Sequence, residues 1–268
     1  MKTTAEVLET NQKQKEFYNN NNQNFLTKQW ARFRNGILNT TRTNIGLKDQ
    51  SYLLHKEWFG DLTNKKVLDL GCFSGNYWSL YLAENSKSYL GIDLSDIAIS
   101  KLKEKLLPFS NANADAIDFL SPEFKEKEYD LIYAYGVLHH FENRTLLINK
   151  LNEKLAAKGT IISYDPLETS WPVKLVRILY RPFQSDAEWE WPFSKKAFYH
   201  FQKEFDIVER HGLLGKSKWY VFINFLPISK ERKQQIGQKW HKDDWEKSKI
   251  SDKVLFTCMH LTMLMKKK

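Results

Sequence analysis

The stretch VLDLGCFSGN, residues 67–76, joins a short apolar run to two closely spaced glycines. The apolar run predicts a buried strand, and Gly71 and Gly75 let the backbone turn tightly and approach a ligand without a Cβ in the way. We expect a helix to begin near Asn76, with the hydroxyl of Ser74 as its N-cap. A strand that passes through such a turn into a helix indicates a ligand site at the carboxyl edge of a parallel sheet.

Apolar runs and helix-length amphipathic segments alternate on both sides of this stretch. The runs are KVLDL (66–70), SYLGID (88–93), YDLIYAY (129–135), GTIISYD (159–165), FDIVERHGLL (205–214) and VLFTCMHLTMLM (254–265). Ser95 can cap a helix that carries Ile99, Leu102 and Leu106 on one face. This rhythm is typical of βαβ units and predicts an α/β fold, with a mostly parallel sheet and helices on both of its faces.

Three segments do not follow this rhythm. Residues 1–64 mix polar stretches with aromatic residues, which predicts an N-terminal helical cap. Residues 65–268 form the main domain, with insertions at about 167–193 and 216–252. The first insertion holds three tryptophans and three prolines in a short span, and we expect both insertions to form a lid over a substrate.

Composition excludes several classes of protein. Cys72 and Cys258 are far apart and no Cys/His cluster has the spacing of metal ligands, so neither a disulfide framework nor a metal site is predicted. The N-terminus lacks the apolar run of a signal peptide, and no later run reaches the roughly 18 residues of a membrane span. These observations predict a soluble, cytoplasmic protein.

The net charge of +9 comes mainly from residues 167–268, which contain 20 Lys or Arg and 12 Asp or Glu. Such an excess can attract an anionic small molecule, an anionic membrane surface or a nucleic acid, and an ordinary solvated face is the competing interpretation. Basic and acidic residues are interleaved and no RNA-binding module is present, which disfavours nucleic acid. The aromatic and basic segment 216–252 could contact a membrane surface peripherally. The sequence leaves the oligomeric state open.

The second apolar run ends in Asp93, about twenty residues after the glycine turn. A carboxylate at this position can accept hydrogen bonds from both hydroxyls of a ribose. The G-x-G-x-x-G fingerprint of dinucleotide-binding proteins is not present, since Phe73 and Asn76 stand at its second and third glycine positions. No Gly-Lys-Ser/Thr of a phosphate-binding loop follows either. The pattern predicts an adenosine-type ligand.

Five motifs occur in order: VLDLGCFSG, LGIDLS, NADAIDF, YDLIYAYGVLHHF and LAAKGTIISYDP. Together they resemble the successive motifs of class I S-adenosylmethionine-dependent methyltransferases, including the ubiquinone/menaquinone-type group. The resemblance covers about 100 residues and neither end of the chain. It implies a Rossmann-like, mostly parallel seven-stranded sheet that binds S-adenosylmethionine.

The resemblance also implies which residues bind this cofactor. They are Asp69, Gly71, Cys72, Phe73 and Gly75 around the methionine part, Asp93 and Leu94 at the ribose, Asp115 and Ala116 at the adenine, and Ala134 and Tyr135 on the methionyl side. For Asp115, capping of the following helix is the competing interpretation.

Phe73 departs from the family pattern, which usually has glycine at this position. We therefore expect the backbone at Phe73 to avoid the conformations that only glycine tolerates well. We also expect its ring to reshape the cofactor pocket.

Three titratable residues lie at the ends of the runs YDLIYAY (129–135) and GTIISYD (159–165). His140 is the stronger candidate for a general base, because the family usually keeps a histidine there and the pKa of histidine suits proton abstraction near neutral pH. His139 is a weaker candidate. Asp165 ends its strand and could orient a hydroxyl or amine acceptor. The competing interpretations are structural, since His140 can shape its loop and Asp165 can form an Asp-Pro turn.

The first insertion supplies candidate substrate-binding residues. Trp189 and Trp191 could form an aromatic wall, and Arg181 with Arg177 could hold a carboxylate or phosphate. Packing of tryptophan beneath a lid is the competing interpretation. In the leading segment Arg32, Arg34 and Arg42 could reach the methionine carboxylate or lie at the surface.

The leading hypothesis is a methyltransferase that acts on an oxygen, nitrogen or carbon atom of a small molecule, such as a natural product, a sugar or a lipid-linked intermediate. The basic C-terminal part makes an anionic acceptor a reasonable expectation. An RNA methyltransferase and a non-catalytic protein that binds S-adenosylmethionine are the alternatives.

Overall fold

The computed structural model describes residues 4–20, 25–181 and 187–268. Its helices are α1 (Thr4–Asn20), α2 (Phe25–Asn44), α3 (Leu47–Phe59), α4 (Ser79–Asn85), α5 (Asp96–Leu106), α6 (Arg144–Lys154), α7 (Trp171–Tyr180), α8 (Lys195–Glu204), α9 (Tyr220–Ile223), α10 (Lys230–Ile250) and α11 (Asp252–Leu255). Its strands are β1 (Lys66–Leu70), β2 (Ser88–Asp93), β3 (Ala112–Ala116), β4 (Tyr129–Tyr135), β5 (Leu155–Pro166), β6 (Phe205–Leu213) and β7 (His260–Lys267). Short 3-10 turns lie at Leu138–His140, Ala187–Trp189 and Lys216–Trp219.

Within the described residues, seven strands form one sheet in the order β3-β2-β1-β4-β5-β7-β6. The strands from β3 to β5 in this order are parallel, whereas β7 runs antiparallel to both β5 and β6. The prediction of a mostly parallel seven-stranded sheet is therefore confirmed. The strand order reverses between β1 and β4, so the turn after β1 lies at the switch point where open α/β sheets bind ligands.

Side chains alternate along each strand, which gives the sheet two apolar faces. In β1 the buried Leu68 packs with residues of α6 and α8, and its neighbour Val67 packs with residues of α4 and α5. Ser95 caps α5 as expected, because its hydroxyl accepts a hydrogen bond from the amide of Ala98 at 3.2 Å. The predicted placement of helices on both faces is confirmed.

α4 begins at Ser79, three residues later than expected, and Ser74 does not cap it. The reason lies beneath the turn, where Asn76 and Ser79 both donate side-chain hydrogen bonds to Asp69. The backbone amide of Asn76 also donates a hydrogen bond to the Ser79 hydroxyl at 2.8 Å. These contacts hold the residues before Ser79 in a turn and delay the helix.

The last strand is shorter than the apolar run that predicted it. The run starts at Val254, whereas β7 starts at His260. The difference arises because residues 252–255 form the short helix α11, whose N-cap hydroxyl on Ser251 accepts from the amide of Val254.

The N-terminal helices pack against the sheet and its carboxyl edge. His55 of α3 is buried, with Nδ1 3.1 Å from the hydroxyl of Tyr133 and Nε2 2.8 Å from the hydroxyl of Thr262. Burial lowers the pKa of His55 to about 3, so its ring is neutral. α1 reaches the loop after β3, where the amide of Asn11 donates to Asp118 at 2.7 Å.

The two predicted insertions contain helices in the structure. α7 lies in the first, and α9 and α10 lie in the second. α10 packs on β6, where the amide of Gly212 donates to the hydroxyl of Ser248 at 2.7 Å. In the described parts of the chain, none of the helices combines the length and the apolar character needed to cross a bilayer.

Candidate active site

The turn after β1 requires glycine at position 71. Gly71 has a φ of +69°, and an added Cβ would lie 2.3 Å from Cγ2 of Val137. Its amide donates to the carbonyl of Ile92 at 2.8 Å, which ties the turn to the end of β2. Gly75, with a φ of +97°, closes the turn by donating to the carbonyl of Cys72 at 2.9 Å. The side chain of Cys72 is buried beneath this turn.

The carboxylate of Asp93 lies opposite the turn, at the end of β2. Its Oδ2 accepts from the amide of Phe73 at 3.0 Å, and its Oδ1 accepts from the amide of Ser95 at 2.9 Å. Burial raises the pKa of Asp93, and the backbone donors oppose this shift. Two fixed donors therefore hold the carboxylate in one orientation.

Phe73 adopts the left-handed conformation that we expected it to avoid, with a φ of +49°. The expectation is wrong because a single non-glycine residue can occupy this region at a cost of about 1–2 kcal/mol. The hydrogen bond from its amide to Asp93 helps to offset that cost. The ring is 53% exposed, so phenylalanine preserves the turn and adds a side chain to the ligand-facing surface.

Asp69 lies fully buried beneath the turn. Its carboxylate accepts hydrogen bonds from the amide of Asn76 (2.8 and 3.0 Å), the hydroxyl of Ser79 (2.6 Å) and the hydroxyl of Tyr89 (2.8 Å). Burial raises the pKa of Asp69 to about 6, and these donors oppose the shift. The carboxylate thus fixes the turn from below, a structural role in place of the expected contact with the methionine part.

A cavity, called the first cavity below, opens at the carboxyl edge beside the glycine turn. Five of the predicted site residues line it: Gly71, Phe73, Asp93, Leu94 and His140. Asn11, Gln14 and Tyr18 of α1 also line it, and sequence reasoning missed them. Their spacing of three and four residues places them on one side of α1, and this polar face is the signal that could have found them.

Asp118 lines the first cavity, whereas Asp115 does not. β3 ends at Ala116, which is exposed, and the side chain of Asp115 is 44% exposed and pairs with Lys103 at 3.5 Å. Burial raises the pKa of Asp118, which accepts the hydrogen bond from Asn11. The motif NADAIDF contains two acids, and the end of the strand decides which one enters the cavity. The structure therefore places Asp118 at the first cavity and does not place the predicted Asp115 and Ala116 there.

A second cavity, of about 550 Å³, lies on the other side of the loop 136–140. Its apolar wall comes from helices outside the motif region, including Leu38 of α2, Val173 of α7 and Phe222 of α9. Tyr135 and Tyr164 complete this wall at the ends of β4 and β5, with their rings stacked at 4.8 Å between centroids. The wall is therefore built from segments that are distant in sequence.

Gly136 lines both cavities, so the two meet at this residue. It has a φ of +71°, and no atom lies within 4 Å of the position that a Cβ would take. Of the two predicted residues that precede it, Tyr135 lines the second cavity and Ala134 is buried in the core.

His139 lines the second cavity and is hydrogen-bonded to Asp165 at the end of β5. Both the amide and Nδ1 of His139 lie 3.0 Å from Oδ1 of Asp165. Burial lowers the pKa of His139 to about 4 and raises that of Asp165 to about 7. The imidazole is therefore neutral at pH 7. In the tautomer that donates from Nδ1 to Asp165, Nε2 is an acceptor. Such a pair can take a proton from a ligand in the second cavity.

His140 lines the first cavity instead. Its Nδ1 lies 2.7 Å from the carbonyl oxygen of Trp189, and its ring meets Tyr18 edge-on at 6.2 Å between centroids. Burial lowers its pKa to about 4. His140 thus connects α1 and the first insertion to the loop, and the geometry favours His139 over His140 as a base for a ligand in the second cavity.

The backbone of residues 189–191 runs along this loop. The amide of Trp191 donates to the carbonyl of His139 at 2.8 Å. The guanidinium of Arg144 donates to the carbonyls of Leu138 and Trp191, and it stays charged although burial lowers its pKa to about 10. The first insertion is therefore fixed to the loop that carries both histidines.

The structure brings two of the three predicted substrate-binding residues, Arg181 and Trp191, to one cavity, but His139 does not line that cavity. Trp189 is 9% exposed and packs inside the molecule, as its competing interpretation required. Arg181 and Trp191 line a separate cavity. Arg177 does line the second cavity, and in the described chain Arg42 and Lys218 line it as well.

Arg42 contributes from α2 to the wall of the second cavity. Its Nη2 lies 3.5 Å from Nε2 of His260, and its Nε is buried without a hydrogen-bond partner among the described residues. The sequence predicted Arg42 either near the methionine carboxylate or at the surface. Because Arg42, Arg177 and Lys218 are far apart along the chain, no local pattern could have grouped them.

The donor and acceptor groups of the first cavity fit an adenosyl ligand. Both Asp93 and Asp118 line it, and a carboxylate can accept hydrogen bonds from ribose hydroxyls or from an amino group. Ile117 and Phe119 add apolar surface for a flat ring. In the part of the chain that the structure describes, no group of three or more His, Cys, Asp or Glu residues could hold a metal ion.

A methyltransferase domain family matches residues 46–211. An uncharacterized protein of Haemophilus influenzae is 29% identical over 107 residues, which cover 38% of this chain and 42% of that protein. The chain thus spans less than half of that relative's length. A carboxy-S-adenosyl-L-methionine synthase of Helicobacter pylori is 29% identical over 177 residues, which cover 59% of this chain and 72% of that one.

The fold is similar to that of the N-methyltransferase NodS from Bradyrhizobium japonicum, solved in complex with S-adenosyl-L-homocysteine. The TM-score is 0.53 at 15% identity, and the match covers 82% of this chain and 87% of that one. These matches do not single out the ubiquinone/menaquinone-type group. The family match includes more than half of the chain. The chain therefore belongs to the methyltransferase domain family and is an S-adenosylmethionine-dependent methyltransferase.

Proposed function

We propose that this enzyme transfers a methyl group to a hydroxyl or amino group of an amphipathic small molecule that also carries an anionic group. The observation that carries this proposal is the meeting of the two cavities at Gly136, with His139 in the wall of the second. A cofactor in the first cavity and an acceptor in the second would face each other across the loop 136–140.

The first cavity would hold S-adenosylmethionine, which supplies a methyl group activated by its sulfonium centre when it is bound. Asp93 would accept hydrogen bonds from the ribose hydroxyls, and Asp118 from the adenine amino group. Phe119 would contact the adenine ring. The polar face of α1 would cover the cavity and exclude water from it.

His139 would act as the general base. A hydroxyl or amino group that attacks the methyl carbon loses a proton, and Nε2 of the neutral imidazole can accept it. Asp165, bound at Nδ1, would stabilise the imidazolium that forms. Both groups are buried, so water screens their interaction little. The presence of this pair favours an oxygen or nitrogen acceptor over a carbon acceptor.

The walls of the second cavity favour an amphipathic acid as the acceptor. Apolar side chains such as Leu38 and Trp219 would contact its hydrocarbon or aromatic part. Arg42, Arg177 and Lys218 add positive charge, and the buried Nε of Arg42 needs an acceptor atom. A carboxylate or phosphate would satisfy this donor. A sugar is disfavoured because its hydroxyls would face apolar walls.

We further assign residues 1–64 the role of a cap on the domain 65–268, and residues 167–193 and 216–252 the role of a substrate lid. Supporting this, α2, α7 and α9 each supply side chains to the wall of the second cavity. The hydrogen bonds from Arg144 to the loop 136–140 and to the first insertion would transmit a lid movement to His139.

Product analysis with the full chain and S-adenosylmethionine tests this proposal. The acceptor panel pairs hydroxy- and amino-substituted aromatic or alkyl acids with the same compounds lacking the acid group. We expect release of S-adenosylhomocysteine, a product heavier by one methylene unit, and at least about tenfold higher kcat/KM for the acids. If no member of the panel releases S-adenosylhomocysteine while the cofactor still binds, this acceptor class is wrong.

The similarity to a carboxy-S-adenosyl-L-methionine synthase supports a second candidate function. In this case the cationic side chains Arg42, Arg177 and Lys218 would bind a small carboxylate, and the product would be a carboxylated form of S-adenosylmethionine. The large apolar wall of the second cavity fits this candidate less well. Mass spectrometry separates the two, because only the second yields a heavier form of the cofactor and no methylated acceptor.

A further inference from the structure

Two segments near the second cavity expose an unusual amount of apolar surface. In α7 the exposed side chains, at 48–75%, are Trp171, Leu175, Val176, Ile178 and Leu179. In residues 219–228 they are Trp219, Phe222, Phe225, Leu226 and Ile228, at 37–81%. Single exposed apolar residues are normal on protein surfaces, but clusters of this size mark interaction sites.

Both segments border the same opening. Pro172 and Val173 of α7 and Val221 and Phe222 of α9 all line the second cavity. The exposed apolar side chains therefore lie beside residues that line the second cavity, which His139 also lines. We call the exposed side chains of α7 and of residues 219–228 the docking face.

Basic residues outnumber acidic ones in the segments that carry the docking face. α7 and the adjacent Arg181 contain three basic residues, with Glu168, Glu188 and Glu190 in the flanking chain, and residues 216–233 contain five basic residues and one acidic residue, Glu231. The whole chain has 41 basic and 32 acidic residues, so this local excess is not a general property of the surface. A partner that matches the docking face combines apolar surface with negative charge.

We propose that the docking face binds the surface of an anionic lipid bilayer. Its apolar side chains would enter the boundary between headgroups and acyl chains, and the basic residues would contact lipid phosphates. This arrangement would turn the entrance of the second cavity toward the bilayer, from which an amphipathic acceptor could enter directly. Delivery of the acceptor rests on the proposed function, whereas membrane binding goes beyond it.

Charge argues against a second copy of the chain as the occupant. A two-fold contact through the docking face would place the same basic residues opposite each other. Like charges brought together beside apolar surface repel strongly because little water screens them. Lipid phosphates supply the opposite charge, and a bilayer also accepts a face of irregular shape.

Cosedimentation of the full chain with lipid vesicles tests the proposal. We expect binding to vesicles of phosphatidylcholine and phosphatidylglycerol that weakens as salt is added, and at least about tenfold weaker binding to phosphatidylcholine alone. Leu179→Glu and Phe225→Glu remove exposed apolar side chains that do not line the cavity. Each should weaken binding to the mixed vesicles at least about tenfold.

Leu107→Glu is the matched control, because Leu107 is 83% exposed and lies outside the docking face. It should leave vesicle binding unchanged, and all three variants should keep the parent's affinity for S-adenosylmethionine. The proposal is overturned if the parent fails to bind mixed vesicles at low salt, or if Leu179→Glu and Phe225→Glu bind as Leu107→Glu does. Sedimentation velocity provides a third outcome: a dimer that both substitutions dissociate, without vesicle binding, overturns it in favour of a second copy.

Vesicle binding and the proposed function fail separately. Binding that requires the docking face, in a protein that methylates no acid of the panel, would leave the membrane proposal standing and reject the acceptor class. Methylation of a water-soluble acid without vesicle binding would support the acceptor class and reject the membrane proposal.

Discussion

The two cavities that meet at Gly136 are assembled in different ways. The first takes most of its wall from the ends of neighbouring parallel strands, within residues 70–141, and only α1 comes from elsewhere. The second draws on α2, α7, α9 and the ends of β4 and β5, so its residues extend from 35 to 260. A cofactor site built by consecutive strands can keep its pattern along the sequence. The wall of a site built by distant segments can change whenever the sequence of any one of these segments changes.

The chemistry of the two cavities differs as well. Carboxylates, Asp93 and Asp118, are the charged groups of the first, which suits the hydroxyl and amino donors of a nucleoside. Apolar side chains dominate the second, together with three cations and one carboxylate, Glu190. His139 and His140 are adjacent in sequence but line different cavities, because a 3-10 turn rotates successive side chains by about a third of a circle.

The largest effect should come from the base in the second cavity. His139→Asn should lower kcat by about 10²–10⁴-fold, because proton removal from the acceptor loses its base, and should leave the Kd of S-adenosylmethionine within about twofold. Asp165→Asn should give a similar loss, and the double variant little more, since the two act as a unit. Single-turnover kinetics and calorimetry measure these values. A larger loss of kcat in His140→Asn, at unchanged Kd, would return His140 to the catalytic role.

The next effect concerns the first cavity. Asp93→Ala should weaken binding of S-adenosylmethionine about a hundredfold, because hydrogen bonds to a charged carboxylate contribute about 1.5–3 kcal/mol each. Asp115→Ala is its control and should change the Kd less than about twofold, since Asp115 pairs with Lys103 at the surface. Calorimetry measures the Kd of S-adenosylmethionine for each variant. If Asp115→Ala binds S-adenosylmethionine more weakly while Asp118→Ala binds it as the parent does, the sequence-based assignment of Asp115 to the cofactor site would be restored.

A third prediction concerns His55, which joins the N-terminal helices to the sheet below both cavities. Its pKa is about 3 in the folded protein and ordinarily about 6.5, so only the unfolded chain binds a proton between these values. Its contribution to stability is therefore complete above about pH 6.5 and decreases as the pH falls. At about pH 5 the loss amounts to about 2 kcal/mol.

His55→Gln should remove this loss. The difference in the free energy of unfolding between about pH 7.5 and about pH 5 should shrink by about 2 kcal/mol relative to the parent, as measured by urea denaturation. An unchanged difference in His55→Gln would mean that its ring is not buried as a neutral group.

The smallest effect should arise from the cationic wall of the second cavity. Arg42→Gln should raise the KM of acidic acceptors about tenfold and leave their uncharged analogues unaffected, because only the acids lose a charged partner. Arg32→Gln is the matched control, since Arg32 lies on the same helix and is exposed. Steady-state kinetics with paired acceptors provides the measurement. An equal rise in KM for acids and analogues would show that Arg42 only supports the shape of the wall.

The sequence by itself determined the sheet, the turn and the identity of the cofactor. The apolar runs of β1 and β2, the glycine at position 71 and the cap at Ser95 depend on contacts within a strand, a turn or one helix, so each leaves a local pattern. Asp93 could also be predicted, because strand and turn lengths place it opposite the glycine turn.

Only the tertiary structure decided which acids and histidines enter which cavity. Asp69 is held under the turn by three donors, Asp115 faces solvent, and His139 gains its partner from β5, outcomes that depend on strand ends and on burial. The cations of the second cavity could not be grouped from sequence for the same reason: Arg42 and Arg177 line one cavity only when distant helices pack on the sheet. The physical difference is the sequence separation of the residues that interact. Local backbone geometry depends on adjacent residues, whereas burial and charge environment depend on contacts between residues far apart in the chain.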